Sequence, residues 1–578
     1  MSIRKLASIA IGGIVAASSA NAAEVFITTN ISTSTTWTAN NVYRLQTQIY
    51  VLPGATLTIE PGTLVASIPT ANGSGSLAVC RGARIYVRGT AQNPVIMTSS
   101  LDTFTSWREA ANEWGNLTIM GQAYIGKYGP SVPNNTPTPN PNNLSPMEGL
   151  VAQFPGDPNV LYGGGNDDDN SGCISYLSLR YGGRVVGLGN ELNGLSLGGI
   201  GRETGLNFIE IMNNVDDGIE IWGGTVNLKN FSIWNIGDDS LDIDQGYRGK
   251  VQFGLIVQGY SVDAAQGSGV GDNCVEIDGA ENSDAQPVTT SVAYNMTLIG
   301  QPVPGAGDHG FAYRDGARMQ FKNAIVMDLG ERLVQNDNVD GDGGSGYGFN
   351  GTLTWAQVWS TPYTSFSTVN APPNPAAFYT AQTTGNLCQI TDSVFFRNLD
   401  PAAYNTATSV GVFDASNRNT LIPGNAVAST PIAQITRGAP VTRGGKTMIP
   451  VVSLDPRPVG PAATAQQGAP DDGFYTSPAL YAGAFPPGNT NWLCGWSAAS
   501  RFGFLVPPPG GCTLPSFPGC VEVPSIPGDL NGDGVVNGAD LSIMLGEWGK
   551  CGGCNGDLNG DGVVNGADLS ILLGNWTS

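Results

Sequence analysis

Basic residues are scarce in this chain of 578: 26 Lys and Arg stand against 47 Asp and Glu, with one histidine. The net charge of −21 argues against nucleic acid, whose phosphates would be repelled, and favours cations. Long apolar runs are missing too. Beyond the N-terminus no stretch approaches the length a bilayer requires, which excludes a membrane span. Helical periodicity is absent from most of the sequence. Charged residues make up only 13%, while Gly reaches 80 and Pro 38, a composition of strands and turns suited to extracellular life. The nine cysteines are odd in number, so at least one thiol is unpaired. The close pairs Cys512/Cys520 and Cys551/Cys554 are the expected bridges.

The N-terminus explains where such a chain resides. Arg4 and Lys5 precede an apolar run from Leu6 to Ala17, and Ala20-Asn21-Ala22 forms a small-residue cleavage site. Residues 1–22 therefore read as a secretory signal peptide, and the mature protein as exported to the cell surface or beyond.

The body of the chain is organised around residues 215–314. Four segments there superpose: Asp216-Asp217-Gly218-Ile219-Glu220-Ile221, Asp238-Asp239-Ser240-Leu241-Asp242-Ile243, Asp272-Asn273-Cys274-Val275-Glu276-Ile277 and Asp308-His309-Gly310-Phe311-Ala312-Tyr313. Steps of 22, 34 and 36 residues, each carrying an alternating strand, predict one coil apiece of a right-handed parallel β-helix. Alternation sends Ile219, Leu241, Val275 and Phe311 inward. It sends Glu220, Asp242 and Glu276 outward as one column, Trp222, Asp244, Asp278 and Arg314 as a second, and Asp217, Asp239, Asn273 and His309 as a third. Coils lie about 4.8 Å apart, so stacked carboxylates repel unless a cation, a proton or an arginine intervenes. The alternative is that these acids are turn residues that suit the bend.

Upstream, Pro-Gly turns at 53–54 and 61–62 separate further strands. The run Leu52-Pro-Gly-Ala-Thr-Leu-Thr-Ile-Glu-Pro-Gly-Thr63, then Arg81 to Thr90, then Trp114-Gly115, resembles a family of exported bacterial β-helix proteins. The likeness covers roughly 35–505 and ends at Trp492-Leu-Cys-Gly-Trp496; it implies the fold and says little of activity. Residues 123–172, with acidic Asn166-Asp-Asp-Asp-Asn170, read as a surface excursion, and 351–480 as long loops around one late strand at Asp392–Arg397. Asn338-Val-Asp340-Gly-Asp342-Gly343 imitates half a calcium loop and is taken as a turn. The expected domains are a β-helix over 23–505, a Pro/Gly-rich linker over 506–527 and a calcium module over 528–578.

That last module carries the clearest chemistry. Asp529, Asn531, Asp533, Val535, Asn537 and Asp540 recur 28 residues later as Asp557, Asn559, Asp561, Val563, Asn565 and Asp568. Oxygen ligands at positions 1, 3, 5, 9 and 12, a carbonyl at 7 and Gly at 6 match an EF-hand-type calcium loop. A short helix follows each loop, with Leu541, Met544, Leu545 and Trp548, then Leu569, Leu572, Leu573 and Trp576, at helical spacing. Asp at position 12 and the lack of a preceding helix resemble dockerin type I repeats. The resemblance implies Ca²⁺ and a cohesin-like module or cell-surface component as partner. The fold class is thus all-β, a parallel β-helix followed by a small α-helical calcium module.

Two functions stay open for the β-helix. Asp216-Asp217-Gly218, Asp238-Asp239-Ser240 and Asp308-His309-Gly310 are similar to parts of the polygalacturonase pattern. An enzyme of that kind would use Asp217, Asp239 and Asp242 as acid and base, with Glu220, Trp222, His309 and Arg314 binding polysaccharide. A lyase variant would place calcium between Glu220, Asp242 and Glu276. The other function is a structural or adhesive rod whose acid columns hold calcium. For the tail the expectation is direct: residues 525–578 bind two Ca²⁺ and gain helix. Calorimetric titration should show one site fewer in Asp533→Ala and in Asp561→Ala.

Overall fold

The computed structural model describes residues 22–70, 74–127, 139–150, 156–187, 190–261, 271–280, 286–305, 307, 309–336, 353–363, 378–399, 411–424, 426–443, 445–515, 517–520, 527–530, 535–550, 556–559 and 561–577. The signal peptide, the 338–343 turn, Asn531, Asp533 and the Cys551/Cys554 pair fall outside these residues.

Strands of three to ten residues wind into a parallel β-helix. One face is a nine-stranded parallel sheet running from Ile49–Val51 through Leu77–Val79, Leu117–Met120, Leu195–Gly198, Ile219–Trp222, Leu241–Asp244, Val275–Ile277 and Phe311–Tyr313 to Val334–Asn336. The register pairs Ile219 with Leu241, Leu241 with Val275 and Val275 with Phe311, as the sequence repeat predicts. These residues and Ile221, Ile243, Ile277 and Tyr313 are fully buried in the continuous core. Removing each such side chain from water contributes about 1.5–3 kcal/mol, the main force holding coil on coil.

Most of the remaining strands form a second parallel system in which four long ones, Gly172–Arg180, Gly205–Asn214, Asn227–Ile236 and Lys250–Val257, bend around a corner. The bend is made by Tyr176, Phe208, Asn230 and Phe253, which share one register position and all have φ between 48° and 62°. Asn tolerates this left-handed conformation; the bulky aromatics are strained in it. Tyr176 and Phe208 offset the strain by stacking, their rings 4.4 Å apart and 2° from parallel.

The segment expected to be loops, 351–480, holds more structure than its composition suggests. A helix at Trp355–Ser360, closed by a capping box between Thr354 and Gln357, seats Val358 and Trp359 on the end of the core. Strands Ile432–Arg437 and Val451–Pro458 then pair antiparallel. Their apolar residues, with Trp492, Leu493 and Trp496, cover Leu255, Ile299, Ile325 and Met327 on the outside of the helix. The late strand is shorter than its sequence implied: only Val394–Phe396 is extended, because Asp392 and Arg397 turn left-handed. Buried Asp328 ties this layer down, accepting from Arg397 Nη2 and Arg437 Nη2, both at 2.7 Å.

The chain therefore doubles back along its own scaffold, and this overturns the expected Cys512/Cys520 bridge. Cys173 pairs with Cys520 across 347 residues, and Cys494 pairs with Cys512. Proximity along the sequence is a poor guide once distant segments run side by side. The Pro/Gly-rich stretch is held in place as far as Cys520, by Val506 N donating to Leu454 O at 2.9 Å, by Thr513 N donating to Asn489 O at 3.0 Å and by both disulfides. Among the described residues no helix is long and apolar enough to cross a membrane.

Glu210 anchors the returning segment. Fully buried on the strand Gly205–Asn214, it accepts from the amides of Ala498 at 2.5 Å and Ala499 at 2.9 Å, and from Ser178 Oγ at 2.7 Å. Glu210→Ala leaves these donors unpaired and should cost about 3 kcal/mol. Denaturant unfolding should show that loss while the far-ultraviolet spectrum stays that of the β-helix.

Candidate functional site

Consecutive coils place the repeated acids on the nine-stranded face. In the first column, each side chain caps the next coil. Asn193 Oδ1 accepts from Asp217 N at 3.2 Å, Asp217 Oδ1 from Asp239 N at 2.8 Å, and Asp239 Oδ1 from Asn273 N at 2.5 Å. His309 ends the ladder, its Nδ1 lying 2.8 Å from Asn273 Oδ1 and its Nε2 3.8 Å from Glu331. Asp and Asn recur here because a short side chain with an acceptor oxygen reaches the backbone amide one coil away. Asp217 and Asp239 thus each commit one oxygen to the scaffold, and His309 lies outside the acidic hollow that the others line.

The second column pairs Ser196, Glu220, Asp242 and Glu276 in register. Glu220 accepts from Asn193 Nδ2. Glu276 and Asp278 hold Arg314, at 2.8 Å and 2.7 Å from its Nη2. Asp242 Oδ1 is buried and has no hydrogen-bond partner among the described residues. Asp216, Asp238 and Asp272, each one residue before the ladder position, and Glu148 complete the lining. The result is a hollow of about 300 Å³ bounded, among the described residues, by nine carboxylates and a single cation, Arg314.

Burial, reinforced by neighbouring acids, pushes Asp216, Asp217, Glu220, Asp239 and Asp242 well above the ordinary carboxylate range. Glu276 is pushed up to about 7, by burial first and by Asp278 next, with Arg314 opposing. Burial opposes the charge on Arg314, but Asp278 and Glu276 outweigh it and keep the guanidinium protonated. One carboxylate oxygen from each of Asp217, Glu220 and Asp242 falls within 4.8 Å of the others, and the same holds for Asp238, Asp239 and Asp272. All-oxygen donors with an unpartnered buried oxygen among them suit a hard divalent cation.

Trp222 is not available to a sugar. It is buried beneath Met147, Leu150, Val160 and Tyr162, so it belongs to a small core under the 139–162 segment. The excursion read from sequence as a surface loop is instead the lid of this core, and it delivers Glu148 to the hollow. Its acidic stretch is structural as well: Asp167 binds Arg248 through both oxygens at 2.6 and 2.7 Å, and Asp169 is buried. Glu148 carries no sequence signal, since it lies outside every repeat. The doubled aspartates were visible in the repeat, but alternation alone directed attention to only one of each pair.

In the C-terminal module, helices Gly538–Gly546 and Gly566–Gly574 start at Asn537 and Asn565, with Asp540 and Asp568 completing capping boxes. Asp540 is buried and accepts from Leu530 N and Asn537 N, both at 2.8 Å; Asp568 accepts from Asn559 N at 3.1 Å and Asn565 N at 2.9 Å. Asp557, Asn559 and Asp561 curl over the amides of Asp561, Gly562 and Val563, gathering their oxygens at one loop. That donor set fits calcium. Met544 and Leu572 enter the core with Val536 and Val564. Leu545, Trp548, Leu573 and Trp576, which helical spacing grouped with them, are exposed by 55, 49, 51 and 42%. Two nine-residue helices bury only a narrow stripe, and the rest of the apolar face is left to solvent.

With this geometry in view, comparison with known proteins is informative. The model of the pectate-lyase-like β-helix domain matches residues 29–384, and that of the dockerin type I domain matches 527–574. The chain belongs to the pectate-lyase-like β-helix family and ends in a dockerin type I domain. That pairing is the one found in polysaccharide-acting proteins of the cellulosomal kind; dockerins bind calcium and cohesin modules. No curated protein and no solved structure matches the chain.

The raised acids set a pH dependence. A carboxyl whose pKa is higher folded than unfolded binds more protons in the native state, so stability falls as pH rises between the two values. For Glu276 that window runs from its ordinary 4.5 to about 7. In chelator the melting temperature should therefore drop across this range, calcium should restore it, and Glu276→Gln should flatten the profile.

Proposed function

We propose that this is an exported protein that binds or acts on acidic polysaccharide in the carboxylate hollow of its β-helix with the help of a divalent cation. The dockerin over 528–578, joined to the β-helix by the short stretch after Cys520, attaches it to a cohesin-like module or cell-surface component. The observation that carries this reading is the convergence of nine carboxylates on one arginine, with Asp242 Oδ1 buried and unpartnered. So many buried acids cannot all be ionised without a counter-charge.

Glu220, Asp242 and Asp217 would hold the cation, and Asp238, Asp239 and Asp272 offer a second set. A bound cation would neutralise the hollow and attract a sugar carboxylate. Arg314, kept charged by Glu276 and Asp278, orients that carboxylate from the open side. Glu148 adds a further acid to the lining from outside the repeat. The protonated carboxyls raised by burial are placed to donate a proton to a glycosidic oxygen, which keeps hydrolysis as a second reading. A rod without chemistry is favoured by the ladder, in which Asp217 and Asp239 already serve the fold. Two disulfides accord with export to an oxidising compartment, and the exposed Leu545, Trp548, Leu573 and Trp576 accord with a protein partner at the dockerin.

The test is a panel of plant and algal polysaccharides assayed with calcium and with chelator. New unsaturated ends indicate a lyase and reducing ends alone a hydrolase. Asp242→Asn should lower turnover by about a hundredfold or more. Calcium-dependent binding without turnover leaves a binding protein, and neither binding nor turnover refutes the proposal.

A further inference from the structure

A second hollow lies on a different face, outside the strands Gly172–Arg180, Gly205–Asn214 and Asn227–Ile236, and it has a different chemistry. It exists because Gly205 offers no side chain where a Cβ would stand 3.1 Å from Cys173 Cβ. One wall is the Cys173–Cys520 disulfide with Phe517, and the other is the Gly473-Phe474 turn. Its volume of about 540 Å³ lies within the range of small-molecule sites.

Lys229 and Asn207 occupy adjacent coils in one register position and both line the hollow. Lys229 Nζ donates to Phe474 O at 2.6 Å and sits 5.2 Å from the Phe474 ring. Among the described residues no carboxylate lies within ion-pair distance of it. Asp472, whose field it feels, is held by Lys250 at 2.7 Å. Burial pushes the Lys229 ammonium down to about 8, so an anion entering here would restore a charge that the scaffold leaves uncompensated. Asn207 Oδ1 is buried and accepts no hydrogen bond from the described residues. Arg202 and Tyr86 also line the hollow, but Asp168 holds the Arg202 guanidinium at 3.0 Å. An acceptor lacking a donor, an ammonium with no acid at hand and the rings of Phe474 and Phe517 together ask for a ligand with a single carboxylate, hydroxyl donors and an apolar ring face. The exposed Glu203 at the rim and the strong negative charge of the chain disfavour a multiply charged ligand.

We propose that this hollow is a second saccharide site that takes the end of a uronate-containing oligosaccharide. Lys229 receives the carboxylate, Asn207 Oδ1 accepts a sugar hydroxyl, and Phe474 and Phe517 cover the ring. The inference rests on the reading that the chain meets acidic polysaccharide, but not on the carboxylate hollow, and it needs no cation.

That independence supplies the test. The full chain is titrated calorimetrically with a galacturonate trimer, once in chelator and once in calcium. Binding should persist in chelator, weaken about tenfold or more in Lys229→Met, and survive largely in Lys229→Arg. The methyl-esterified trimer should bind as weakly to the wild type as the acid does to Lys229→Met. Asn207→Asp, which sets a charge beside the ligand carboxylate, serves as the variant where Lys229→Met fails to fold. Chelator-resistant binding that ignores Lys229 and Asn207 overturns the proposal. Binding that requires calcium and Asp242 overturns it while sparing the carboxylate hollow. Chelator-resistant binding lost in Lys229→Met, with nothing added by calcium, supports this site and counts against the other; no binding in either condition defeats both.

Discussion

Adjacent coils of a parallel β-helix are about 4.8 Å apart, and strict register makes each residue a neighbour of its counterpart one coil away. This single distance decides which repeats stabilise and which do not. Apolar counterparts such as Ile219, Leu241, Val275 and Phe311 gain from it, since each buries the next. Asp and Asn at the coil entrance gain as well, because 4.8 Å suits a side-chain oxygen reaching the next backbone amide. Glu220, Asp242 and Glu276 lose, because like charges that close raise one another's pKa and call for a counter-charge. The same geometry therefore yields core, capping ladder and candidate site from three columns of one strand set.

Most of the hollow's lining comes from the repeated coils themselves, and Glu148 is added from outside them. The 139–162 segment covers Trp222 and brings in Glu148, and the returning 430–520 segment clothes the other faces and is locked by Glu210, Asp328 and two disulfides. Burial is the largest cause of every raised carboxyl in the hollow, and of these segments only the first, through Glu148, reaches it.

The dockerin follows a different logic. Its loops and helices are specified within about twelve residues each, by ligand spacing, a glycine turn and a capping box, and it needs no distant chain to assemble them. What it leaves unsatisfied is apolar: Leu545 and Trp548, with Leu573 and Trp576 as their equivalents, face outward. Two nearly identical halves thus present two similar apolar surfaces.

By itself the sequence determined the parallel β-helix, the register of residues 215–314, the outward acid columns and the dockerin repeats. All of these arise from periodicity and local spacing, which are written along the chain. Tertiary structure alone decided that Trp222 is packed away, that Glu148 joins the hollow and that His309 stands outside it. It also decided that Asp217 and Asp239 cap the scaffold, and that Cys173 meets Cys520. Each depends on segments distant in sequence being brought side by side, and neither alternation nor proximity along the chain encodes which loop returns to cover which face.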